Sequence, residues 1–193
     1  MSLKINGGIF KGICLNSPSG NKTRPTSNML REAVFNICQH KIQDAAFLDI
    51  FAGTGAMGLE ALSRGAAHAT FIENERNALL CIKKNIERLS VLEKTSIYPQ
   101  DVLSSLKKLE GKTFDVIYID PPYGEKEEEK RSLEKVKHIL TFLDHHLTHG
   151  SSWIFLEFSS YCKEDFSKIS LENLKWQHKR TFARSDLHLF KIL

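Results

Sequence analysis

The chain of 193 residues is 41% hydrophobic, enough for the core of a globular domain and too much for a disordered chain. No apolar run reaches the roughly 18–20 residues of a membrane span, and residues 1–8 hold no apolar leader, so no membrane partner and a cytoplasmic location are expected. Cys14, Cys38, Cys81 and Cys162 form no CxxC pair and read as free thiols, with no disulfide frame and no metal site. The net charge of +4 is mild, but its placement is uneven. Residues 1–31 carry Lys4, Lys11, Lys22, Arg24 and Arg31 with no Asp or Glu, a pattern suited to a phosphate backbone or to a plain solvated arm.

In chain order, residues 1–25 are rich in glycine and turns and are expected to form a basic arm or short hairpin, followed by one larger domain over 26–193. Pro25-Thr26-Ser27 opens a helical pattern, with Thr26 or Ser27 as N-cap and Leu30, Val34, Ile37 and Cys38 on its buried face. Strands are predicted over 46–51, 69–73, 95–98, 114–119 and 153–158. Helices are predicted from 58 to at least 64, over 76–89, around 102–109 and around 132–147. That alternation implies crossover units and a mainly parallel α/β sheet covered on both faces. Two strand-like runs, 174–182 and 187–192, separated by about four residues, predict a terminal antiparallel hairpin.

Gly53, Gly55 and Gly58 form GxGxxG directly between the first strand and its helix, where glycine permits a sharp turn and close approach to a ligand. Glu73, 20 residues beyond Gly53, ends the second strand and is placed to accept from ribose hydroxyls. A nicotinamide dinucleotide satisfies those features as well as S-adenosylmethionine does. Asp49, before the glycines, can face the ammonium and sulfonium charges of the latter. Asp101 can accept from an adenine amino group, or cap the helix that follows it. Glu75 reads as a solvated first-turn residue. The cofactor candidates in this part of the chain are Asp49, Phe51, Ala52, Gly53, Thr54, Gly55, Gly58, Glu73 and Asp101.

The run 114–119 leads into Asp120-Pro121-Pro122-Tyr123. Two prolines stiffen the turn and remove two backbone donors. An exocyclic base amine is a poor nucleophile, because its lone pair is delocalised into the ring. The Asp120 carboxylate and the Pro121 carbonyl can accept its two N–H bonds and orient it for attack on a methyl group, while Tyr123 stacks on the extruded base. Positioning and electrostatics supply the acceleration, without a metal. Asp120, Pro121, Pro122 and Tyr123 are therefore the catalytic candidates.

Several stretches match one family closely. They are Gly7-Gly8 with Phe10-Lys11-Gly12, Arg24-Pro25-Thr26 followed by residues 30–36, residues 49–61, Ser63-Arg64-Gly65-Ala66, and Asp120-Pro121-Pro122-Tyr123. Over almost its whole length the chain resembles the bacterial guanine-N2 methyltransferases of small-subunit (16S) ribosomal RNA, the RsmD-like family. The resemblance implies a Rossmann-like class I methyltransferase fold, a seven-stranded sheet with an antiparallel C-terminal strand. It implies S-adenosylmethionine as cofactor, with Thr26 reaching its methionine end, and small-subunit ribosomal RNA or an assembling small subunit as partner. The arm would assist RNA binding through Lys11, Lys22 and Arg24; a monomer is expected. Three other readings stay open: a DNA adenine-N6 methyltransferase, a nucleotide-dependent oxidoreductase and a non-catalytic RNA-binding module. An inserted domain for reading a DNA groove is missing, which counts against the first; the DPPY motif counts against the second.

Four features are assigned no role in catalysis. The acidic run 125–131 after DPPY reads as a solvated loop and first helical turn, with a lid as the alternative. His145, His146 and His149 read as a polar helix end, and Trp153 and Trp176 as strand packing. Lys175, Lys179, Arg180 and Arg184 near the final hairpin are placed either to touch RNA or to form a solvated face.

Overall fold

A computed structural model describes residues 3–18, 28–122, 126–147 and 150–192. Lys22, Arg24, Thr26 and Tyr123, the expected caps Thr26 and Ser27, and His149 lie outside the described residues. The elements are α1 (Asn28–Ile37), β1 (Ala46–Ile50), α2 (Ala56–Ser63), β2 (His68–Ile72), α3 (Arg76–Leu89), β3 (Thr95–Tyr98), α4 (Val102–Lys108), β4 (Val116–Ile119), α5 (Lys126–His146), β5 (Trp153–Ser159), β6 (Leu174–Phe182) and β7 (Ser185–Ile192). Seven strands form one sheet in the order β3-β2-β1-β4-β5-β7-β6. The first five run parallel; β7 is antiparallel to both β5 and β6. This is the class I methyltransferase topology, as expected from the sequence.

The core divides by side-chain alternation along the strands. Phe47, Phe71, Val116, Tyr118, Phe155, Leu187 and Leu189 pack with α1, α2 and α3 on one face. Leu48, Ile50, Ile117, Ile119, Ile154 and Leu156 pack with α4 and α5 on the other. Chain order reverses between β1 and β4, which opens the crevice of an open α/β sheet at the carboxyl ends of those strands.

Several boundaries differ from expectation. Helix α5 begins at Lys126, six residues before the predicted start at 132. Its first turn holds Glu127, Glu128 and Glu129, and at a helix N-terminus those charges face the positive end of the dipole. That turn shows no apolar periodicity because Glu127 and Glu128 are exposed. The C-terminal hairpin turns through two residues, Ala183 and Arg184, not four. Strand β7 starts at Ser185, and its polar residues Ser185 and Asp186 are buried, with Asp186 held by Thr181 Oγ1 at 2.6 Å and Lys179 Nζ at 3.0 Å.

The N-terminal segment lies against the domain. Lys4 and Cys14 form an antiparallel bridge, and Leu3, Ile5 and Leu15 join the α1–α2 core cluster. Gly8, at φ 77°, sits so close that a Cβ there would lie 1.8 Å from the Ser63 carbonyl oxygen. A buried charged cluster holds this docking. Glu60 accepts from the backbone N–H groups of Asn6 (2.7 Å) and Gly7 (2.8 Å) and from Arg64 Nε (2.8 Å). Arg31 lies 3.6 Å from Glu60 and donates to the Lys4 carbonyl and to Asn28 Oδ1. Arg31 was counted among the cations of the first 31 residues, but it is fully buried in this ion pair and is withdrawn from any surface that meets phosphate. Among the described residues, no helix is long and apolar enough to cross a membrane, and no His, Cys, Asp or Glu group has metal-site geometry.

Candidate active site

Phe51 leaves β1 with φ 63°, an uncommon conformation for an aromatic residue, and it swings the chain into the glycine loop. Gly53 (φ 55°) and Gly55 (φ 76°) continue that left-handed path, which favours glycine. Ala52 N–H donates to the Ile72 carbonyl, tying the loop to β2. A Cβ at Gly53 would meet nothing within 4 Å, so the loop faces open space at this point. Gly58 belongs to α2 and is needed for a different reason. A Cβ there would lie 2.3 Å from the Phe71 ring, so glycine sets how closely α2 approaches β2.

Two predicted carboxylates brace this loop. Glu73 Oε2 accepts from Gly53 N–H at 2.8 Å, and its Oε1 accepts from Asn74 and Glu75 N–H, each at 2.8 Å. Asp49 is buried beneath the loop, with Oδ2 accepting from Gly58 N–H at 3.0 Å. Burial pushes the Asp49 carboxyl up to about 8; the Gly58 bond opposes this and nearby Glu73 adds to it. Glu75 caps α3 by accepting from Ala78 N–H at 2.7 Å.

Asp101 caps α4 through Leu103 N–H at 3.0 Å and pairs with Lys135 Nζ of α5 at 2.7 Å. The Lys135 ammonium hydrogen-bonded to it holds the Asp101 carboxyl below the usual carboxylate range. Lys135 Nζ also lies 5.7 Å from the centre of the Phe51 ring, so it joins the third strand's loop to the first strand's exit.

Asp120 follows β4 and donates its backbone N–H to the Ile50 carbonyl at 3.3 Å, which places the Asp120-Pro121-Pro122 turn beside the exit of β1 into the glycine loop. Its residue is half-buried, Pro121 is buried and Pro122 is exposed. Ser132 of α5 donates to the Pro122 carbonyl and anchors the turn. Beneath Asp120 on the same sheet face, the buried Tyr118 hydroxyl donates to Glu157 of β5. Of the nucleic-acid candidates, Lys11 is exposed on the N-terminal turn.

Sequence reasoning missed Lys135, Ser132, Glu157 and Asn85. Buried Asn85 on α3 donates to the Thr54 carbonyl at 3.0 Å, and its Oδ1 accepts from Asn16 N–H at 2.7 Å, clamping the glycine loop to the N-terminal segment. The signal was a polar residue between Ile82, Ile86 and Leu89 on an apolar helix face. The bonds of Lys135 and Ser132 bring together residues 34 and 10 apart in sequence and carry no local pattern.

The family model described as "Conserved hypothetical protein 95" matches residues 3–191. A protein of Buchnera aphidicola (subsp. Acyrthosiphon pisum), named "Ribosomal RNA small subunit methyltransferase D", is 40% identical over 119 residues, 62% of each chain. The match therefore spans under two thirds of that relative's length. The Bacillus subtilis protein YlbH is 33% identical over 146 residues, 74% of each chain. Among solved structures, Escherichia coli yhhF superposes with a TM-score of 0.82 at 26% identity, covering 100% of this chain and 98% of that one.

Proposed function

The chain belongs to the RsmD-like family whose model is described as Conserved hypothetical protein 95, and we propose that it is an S-adenosylmethionine-dependent methyltransferase acting on the exocyclic N2 of a guanine in small-subunit ribosomal RNA. The observation that carries this reading is the placement of Asp120-Pro121-Pro122 at the end of the strand next to the glycine loop's own, with Asp120 N–H hydrogen-bonded to the Ile50 carbonyl. The name of the Buchnera relative supports the ribosomal substrate. The proposed setting is the cytoplasm, with a monomer acting on ribosomal RNA or an assembling small subunit.

The residues present fit the cofactor. The loop faces open space at Gly53, and Glu73 brings acceptor character to a ligand that carries hydroxyls, while the buried Asp49 carboxyl, pushed up to about 8, is drawn into its charged form by a cationic group bound beside it. When bound, S-adenosylmethionine supplies an electrophilic methyl on a sulfonium leaving group. Glu73 is proposed to accept from the ribose hydroxyls, Asp49 to face the cationic end with Thr26 nearby, and Asp101 to accept from the adenine amine beside Phe51. Phe51, Ala52, Thr54 and Gly55 line the same loop.

The Asp120 carboxylate and Pro121 carbonyl hold the two N–H bonds of the target amine. They would turn its lone pair out of conjugation, towards the electrophilic methyl that a bound S-adenosylmethionine would supply. The surplus proton then leaves the nitrogen towards Asp120 and solvent. Tyr123 is assigned the stacking contact with the base.

The test is transfer of labelled methyl to ribosomal RNA, small-subunit particles and DNA in parallel, followed by digestion to nucleosides and mass identification. N2-methylguanosine from RNA or particles is expected. N6-methyladenine from DNA would instead establish the DNA reading, and nicotinamide dinucleotide binding without S-adenosylmethionine binding would overturn the class.

A further inference from the structure

We propose that the tip of the β6–β7 hairpin, formed by Arg180, Phe182 and Arg184 with the neighbouring Tyr161, is a docking surface for single-stranded RNA that flanks the target nucleotide. The inference rests on the RNA-methylating reading above and adds to it a second contact region, far from the N-terminal cations in sequence.

Position is the first argument. Ser159 at the end of β5 pairs with Ser185, and Ser185 pairs with Phe182. The turn at Ala183-Arg184 therefore projects from the same end of the sheet as the glycine loop and Asp120-Pro121-Pro122. Ser160 N–H donates to the Arg184 carbonyl at 3.0 Å, which fixes the tip beside the segment leading to Tyr161.

Register gives the face. Arg180 pairs with Leu187, and Leu187 pairs with Glu157. Ile119 pairs with Leu156, so the next position of β4's path, Asp120, comes beside Glu157. Asp120, Glu157, Leu187 and Arg180 thus form one row across four adjacent strands. Leu187 and Tyr118 belong to the same core cluster, and alternation carries Arg180 and Asp120 to that shared face. Three strand spacings separate the ends of the row by about 14 Å, the reach of a few nucleotides of single strand.

The chemistry at the tip selects the partner. Lys179 is neutralised by Asp186 at 3.0 Å, and Lys175 Nζ donates to the carbonyls of Leu171 (3.2 Å) and Glu172 (3.0 Å). Arg180 and Arg184 are exposed and make no ion pair among the described residues. The Arg180 guanidinium sits 5.8 Å from the centre of the half-buried Phe182 ring, and Tyr161 is 72% exposed. Cations interleaved with aromatic faces are the means by which proteins hold unpaired strands, with arginine on phosphate and rings under bases. Charge on an edge strand also prevents strand pairing between molecules. That accounts for Lys179 in mid-strand, but not for an exposed tyrosine at the tip.

The test uses the full chain and a labelled single-stranded RNA dodecamer, with the matching small-subunit particle as a second ligand. Arg180→Gln/Arg184→Gln is expected to weaken dodecamer binding and to reduce the slope of log affinity against log salt by about 1.4, the value for two contacts on single strands. Arg180→Lys/Arg184→Lys keeps the charge and should keep the slope. Tyr161→Ala should weaken binding by about 5-fold to 160-fold, the range for loss of one stacked base. S-adenosylhomocysteine affinity should be unchanged in all of them, which reports an intact fold. If wild type binds the dodecamer and the Gln variant matches it in affinity and slope, the hairpin proposal is overturned while the RNA reading stands. Failure of wild type to bind RNA or particles overturns both. A deficit confined to the particle, with naked RNA bound normally, identifies protein docking and also overturns the proposal.

Discussion

Replacing Gly58 by alanine places a methyl group 2.3 Å from Phe71 Cε1 and 2.7 Å from Cζ. Carbon atoms in contact prefer about 3.5–4.0 Å, so the ring or the helix must retreat by roughly 1 Å. Phe71 is fully buried in the α1–α2–α3 cluster and has no open space to swing into. Overpacking of this kind costs about 1–3 kcal/mol. Alanine in a helix returns about 1 kcal/mol relative to glycine, which leaves a net loss of up to about 2 kcal/mol. For a chain of this size that corresponds to a drop in Tm of up to roughly 8 °C. Because α2 carries the glycine loop at its N-terminus, cofactor affinity should fall as well. Denaturant unfolding of Gly58→Ala, Phe71→Leu and the double variant tests the cause. The smaller leucine removes the clash, so the double variant should be no less stable than Phe71→Leu alone, a coupling of about 1–2 kcal/mol. Strict additivity would refute the close-packing role.

Asp49 should make stability fall with rising pH, because its folded value of about 8 lies above the ordinary value of 3.8. The native state then holds a proton that the unfolded chain releases. The contribution is present below about pH 4 and is lost as pH rises through about 8, at up to about 1.4 kcal/mol per unit. Unfolding measured from pH 5 to 9 should show a flatter profile in Asp49→Asn, and parallel profiles would contradict the assignment. Glu60→Ala strands Arg31 as a buried cation and frees the N–H groups of Asn6 and Gly7, so a loss of about 3–5 kcal/mol is expected, with faster proteolysis of the N-terminal segment. Wild-type resistance in limited proteolysis would mean the cluster does not hold that segment. In single-turnover methyl transfer, Asp120→Ala should lose about 10²–10³-fold, Asp120→Asn less, with cofactor affinity retained. Tyr123→Phe should be mild and Tyr123→Ala severe; equal losses in the two would argue against stacking.

Local sequence pattern carried most of the sheet. The run 76–89 declares its type because its apolar residues repeat at the helical period, and its observed boundaries coincide with the predicted ones; those of 95–98 coincide as well, although Thr95-Ser96-Ile97-Tyr98 carries no apolar alternation. The glycine loop and DPPY were legible for a similar reason, since both follow directly from strands whose ends they mark. Elements without an apolar stripe were not legible: the acidic first turn of α5 is stabilised by dipole and solvent, and the start of β7 hides buried polar residues. Tertiary structure alone decided which charges are available. Arg31 reads in sequence as one more cation of a basic N-terminal segment, yet the meeting of α1 and α2 buries it against Glu60. Asp101 and Lys135 likewise share a hydrogen bond across 34 residues, and Asn85 ties Asn16, 69 residues away, to Thr54, 31 residues away. A sequence states composition and local period, and those suffice for elements whose partners are their own neighbours. A carboxylate or guanidinium has its energy set by whatever the fold brings within a few ångströms, and that depends on crossovers no local period encodes.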